Sequence, residues 1–167
     1  IKTHKKRNLS EKFSFLFLSE YFRPLDQLLS SEVNGKQLFL ETTGLSEKWL
    51  DKMKEWHVIT SEKRENESFY SQDDVIIGKL IADMDRIGIG QRDGFNPNEL
   101  QNFTTVLRPL VAKNLERYME AGWNKMSPDE LREKGSQSTE VISLFFYHIY
   151  LKLVREEYKR YLKTHGE

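Results

Sequence analysis

Lys48, Lys52, Lys54, Lys63 and Arg64 crowd one short stretch, and cations so placed can neutralise the phosphates of a nucleic-acid backbone. Glu47, Asp51, Glu55, Glu62, Glu65 and Glu67 are interleaved with them, so a solvated, self-neutralised face is the competing reading. A second basic stretch, Lys2 to Arg7, holds no acid and reads as a nucleic-acid arm, a linker from an upstream domain or a loose tail. Over the whole chain 26 basic and 26 acidic side chains cancel, so any attraction to DNA has to be local. A further group is aromatic: Trp123, Phe145, Phe146, Tyr147 and Tyr150 suit a pocket for a small apolar effector, a dimer interface, or burial inside a bundle.

Reactive chemistry is poorly provided for. The chain has no cysteine, and its four histidines are scattered without a helical His-Glu pair, so neither a metal site nor a cofactor is expected. Gly88-Ile89-Gly90 lacks the preceding strand that a dinucleotide loop requires. Asp83 and Asp85, two positions apart, point to different sides of a helix. No nucleophile is spaced against a base, and the chain is not expected to be an enzyme. No apolar run approaches the roughly 20 residues that span a bilayer, which favours a soluble, cytoplasmic protein. The start at Ile1 reads as that of a fragment.

The basic residues need a scaffold, and the flanking sequence supplies one. A helix is expected from Ser10, carrying Phe13, Leu16, Phe17, Phe22 and Leu25 at helical spacing, followed by a turn at Asn34-Gly35. A short helix over Gln37 to Thr42 runs into Gly44, which suits a left-handed helix end, and Ser46 then caps a second helix lined by Leu50, Met53 and Trp56. Two short helices joined through a glycine predict a helix-turn-helix. Val58-Ile59 and Phe69-Tyr70 are expected to form a two-stranded wing around a polar tip. A third helix starts at Ser71 or Gln72 and buries Val75, Ile76, Leu80, Ile81, Met84 and Ile87, with His57 closing the second helix as a structural residue. Asn96-Pro97 opens a fourth helix to Ala121, bent by Pro109. Ser127-Pro128 opens a short helix ended by Gly135, and a last helix runs from about Ser138 to Thr164.

Thr43-Gly44-Leu45-Ser46, Trp49-Leu50, Trp56-His57-Val58-Ile59, Tyr70-Ser71-Gln72-Asp73-Asp74-Val75 and Arg86-Ile87-Gly88-Ile89 together resemble the winged-helix domain of the MerR family of bacterial transcription regulators. The resemblance covers residues 37 to 105. It implies a mainly α fold, with a winged helix-turn-helix flanked by an N-terminal helix and a C-terminal helical bundle. It also implies a homodimer that presents paired winged helices to DNA. Where the family carries an Arg and a Tyr toward DNA, this chain has Asp51 and Met53; Ser68 replaces a wing Arg and His57 a Gly. The expected organisation is an N-terminal helix with a basic tail over 1–33, a MerR-like winged helix over 34–94, and a helical dimerisation or effector domain over 95–167. Two functions stay open. In one, Lys48, Lys52, Lys54, Lys63 and Arg64 touch DNA directly. In the other, a degenerate winged helix or a helical effector-binding domain serves interaction, while an upstream domain reads the DNA.

Overall fold

The computed structural model describes residues 31–166, and the expected N-terminal helix with its basic tail lies outside them. The described residues are mainly helical. In chain order they form β1 (Val33–Asn34), α1 (Lys36–Thr43), α2 (Glu47–Glu55), β2 (Glu62–Arg64), β3 (Glu67–Tyr70), α3 (Gln72–Arg86), α4 (Asn98–Glu120) and α5 (Pro128–His165). The chain divides into two compact units, one ending at Pro109 and the other starting at Leu110.

In the first unit, helix boundaries follow local chemistry. Gly44 closes α1 with φ 79° and donates its N–H to the Leu40 carbonyl. The Ser46 hydroxyl accepts from the Trp49 N–H at the start of α2, and Ser71 does the same for Asp74 at the start of α3. The three strands form one antiparallel sheet in the order β1-β3-β2, with Val33 opposite Tyr70 and Lys63 opposite Ser68. Between sheet and helices, Phe39, Leu50, Met53, Ile59, Tyr70 and Val75 are fully buried, and Phe39 stacks on Tyr70 with ring centroids 4.1 Å apart. Trp49 and Trp56 pack against this cluster from its edge. Burying each large apolar side chain contributes about 1.5–3 kcal/mol.

Three expectations about this unit need correction. Val58-Ile59 is not a strand, because both N–H groups turn back to the Met53 carbonyl and finish α2, while Ile59 drops into the core. The strand that pairs with Phe69-Tyr70 is instead Glu62–Arg64, fully exposed, and Val33–Asn34 adds a third where only a turn was expected. Ile87 is also not buried: it lies at the C-terminal end of α3, 58% exposed, and Asp83 takes the inner position.

In the second unit, α5 is one continuous helix of 38 residues, so Gly135 does not end a helix. A glycine inside a helix costs only about 1 kcal/mol against alanine, and favourable turns on both sides carry the helix through it. Its start is fixed by a capping box. Ser127 Oγ accepts from the Glu130 N–H, and Glu130 accepts from the Ser127 N–H, which lowers the Glu130 carboxyl below its ordinary range. From Leu110 onward no described residue is buried, so the expected bundle shows no core of its own among the described residues. No helix among the described residues is long and apolar enough to cross a membrane.

Candidate nucleic-acid interface

The five basic residues singled out above do not share one environment. Lys52 pairs with Glu55 at 3.0 Å and lies 5.9 Å over the Trp56 ring. Arg64 pairs with Glu62 at 3.0 Å and stacks 3.5 Å over Phe69. Both cations are thus engaged locally, although such exposed pairs are worth little and can be exchanged for another anion. Lys48 sits in the first turn of α2 and is exposed. Lys54 and Lys63 are different: they line one open groove of about 360 Å³ between the end of α2 and the β2–β3 hairpin.

That groove is also lined by His57, Ile59, Thr60, Ser61 and Ser68. Its wall therefore offers two ammonium groups, an imidazole and three hydroxyls, with no carboxylate. The ionisable side chains that line it are thus basic only. Asp74 fixes the groove from behind. Its buried carboxylate accepts the Thr60 N–H at 2.9 Å and the Ser71 hydroxyl at 2.7 Å, tying the segment after α2 to the start of α3. Thr104 on α4 reaches the Trp56 carbonyl at 3.5 Å, a further hold on the end of α2. Ser61 and Ser68 also border the buried Tyr70 phenol, and burial pushes that phenol above its ordinary pKa.

His57, expected as a structural residue at the end of the second helix, stands there and also lines the groove. Its φ is 56°, left-handed, where a side chain costs about 1 kcal/mol or more relative to glycine. The backbone N–H donates to the Lys54 carbonyl, and the imidazole lines the groove. The available signal was the helix end itself, together with a histidine where the resembled pattern has glycine. Ser61 and Ser68 left no such signal, since hydroxyls in a polar hairpin are ordinary.

Asp51, which stands where the resembled pattern has an arginine, lies 3.8 Å from Lys36 on α1. Lys36 also binds Glu47, and that hydrogen bond raises the Lys36 ammonium above its ordinary range and lowers the Glu47 carboxyl. The acids of α2 are therefore partly answered from α1. Asp83 pairs with Arg86 and Asp85 with Arg92, each at 2.9 Å, so these two acids serve separate ion pairs.

The aromatic group is divided between two places. Trp123 stacks on Tyr118 at 4.8 Å in the turn before α5. Phe145 and Phe146 meet edge to face at 6.4 Å, well along α5, where Phe145 and Tyr150 are each 59% exposed and Tyr147 is half-buried. From Pro128 to Phe145 the helix rises about 26 Å. Comparison with protein-family models, curated proteins and solved structures gives no match.

Proposed function

We propose that residues 33–86 are a winged helix-turn-helix that binds the backbone of duplex DNA, within a homodimeric transcription regulator of the MerR type. The observation that carries this reading is the acid-free groove of Lys54, His57 and Lys63 between α2 and the hairpin. The element order β1-α1-α2-β2-β3-α3 and the sheet order β1-β3-β2 support it, because they set a second helix beside a hairpin as paired DNA-contacting elements. In this reading α2 and the wing straddle phosphates, and Lys48, Lys52 and Arg64 add contacts by releasing their local partners.

Dimerisation falls to α5. Tyr147, Leu151, Val154, Tyr158 and Tyr161 recur at alternating spacings of four and three, the seam of a coiled coil. Val154, Tyr158 and Tyr161 on that seam are exposed in the single chain, and a second copy is the occupant that a self-matching apolar seam fits. The test is a gel-shift with mixed-sequence duplex DNA at low and moderate salt, beside a mass measurement in solution. Retarded DNA at low salt and a dimer mass support the proposal; free DNA at low salt defeats it.

A second reading has its own support. The pairs Lys36–Glu47, Lys52–Glu55 and Arg64–Glu62 neutralise much of the face that would meet DNA. On that reading the module serves protein interaction, and an upstream domain reads the operator. A longer chain that binds DNA while residues 31–166 are dispensable for affinity would favour it.

A further inference from the structure

We infer that the groove between α2 and the hairpin holds one phosphodiester group, with His57 as a third ligand beside Lys54 and Lys63. This assignment rests on the nucleic-acid reading of the same face and specifies where that face takes its phosphate. The groove is lined by Lys54 and Lys63, which make no ion pair with a described residue, by His57 and by Thr60, Ser61 and Ser68; no acid lines it, although Asp74 behind it already accepts from Thr60. Such a lining matches a tetrahedral oxyanion, which accepts several hydrogen bonds at once from ammonium, hydroxyl and ring N–H donors. The groove is open and larger than a bare phosphate, so it can admit a phosphate still joined to its sugars.

A second observation is independent of charge. His57 keeps a left-handed backbone at φ 56°, a conformation in which glycine would be at ease. Strained residues that persist are found preferentially at binding sites, and of the described non-glycine residues with positive φ (His57, Glu65 and Asn66) His57 is the one that lines this groove with the two lysines. Stability alone favours glycine at this position. An imidazole that contacts ligand gives a reason for histidine.

The experiment uses the full chain with a labelled mixed-sequence duplex, titrated over a range of salt, with inorganic phosphate as the small-molecule probe. Four proteins are compared: wild type, Lys54→Ala with Lys63→Ala, His57→Gly, and Lys134→Ala on α5 as a charge control. The double variant should bind about tenfold more weakly, and its slope of log affinity on log salt should flatten by about one for each phosphate no longer held. His57→Gly should melt about 2 °C higher and yet bind several-fold more weakly, a combination that a merely structural histidine would not give. Lys134→Ala should match wild type in both.

Equal binding by wild type, the double variant and His57→Gly would overturn the assignment while leaving DNA binding in place. His57 ring resonances that shift with inorganic phosphate and not with duplex would also overturn it, since the phosphate would then come from a free ester. Absence of duplex binding by wild type at low salt would remove the nucleic-acid reading, and the assignment with it.

Discussion

Two side chains show how single residues shape the groove. His57 presents its ring at a cost to the backbone, and Asp74 anchors the segment that forms the floor. Asp74 is 7% exposed and accepts from the Thr60 N–H, the Ser71 hydroxyl and, more distantly, the Thr60 hydroxyl. Asp74→Ala leaves a buried N–H and hydroxyls without their acceptor, and the unfolding free energy should fall by about 2 kcal/mol in a denaturant titration. An unchanged midpoint would mean that water replaces the carboxylate at no cost. Some of this chemistry was legible in the sequence. The helix start was expected at Ser71 or Gln72, and Ser71 is its cap. The partner Thr60 was not legible, because it lies 14 residues away and the contact depends on how the hairpin folds back.

Among the elements, α1 and α3 approach each other closely at Gly78. A Cβ on Gly78 would lie 2.7 Å from Thr43 Cγ2 and 3.1 Å from Phe39 Cζ. Thr43 is buried and its hydroxyl is held, donating to the Phe39 carbonyl at 2.8 Å and accepting from the Leu45 N–H at 3.3 Å, so it has little room to yield. Gly78→Ala gains up to about 1 kcal/mol of helix propensity but meets an overpacking cost of about 1–3 kcal/mol. The clash wins: the variant should unfold at lower denaturant with an unchanged m-value, and a more stable variant would show the helices free to move apart. The helices themselves were readable from Gly44, Ser46, Ser71 and Ser127, since caps act within a few residues. The strands were not. Glu62–Arg64 has no apolar alternation because both of its faces are exposed, and Val33 finds Tyr70 across 37 positions of sequence by non-local pairing. Val58 and Ile59 looked like a strand by residue type, yet their backbone served α2 and their burial served the core.

At the level of the whole molecule, α5 buries none of its described residues. Leu151→Glu with Tyr158→Glu places charge on the proposed seam, and the mass in solution should drop from twice the 19.8 kDa chain mass to that of one chain. A dimer that survives both changes would place the interface elsewhere. The aromatic richness of this helix was visible in the sequence. Whether it faced a bundle or the outside was not, because the same periodic pattern serves both. DNA binding is read out by equilibrium titration of the full chain with a mixed-sequence duplex between about 50 and 200 mM salt. With one phosphate held by Lys54 and Lys63 on each protomer, the affinity should be measurable at the lower salt and fall by about tenfold at the higher. Absence of binding at 50 mM, or an affinity that salt leaves unchanged, would contradict the account.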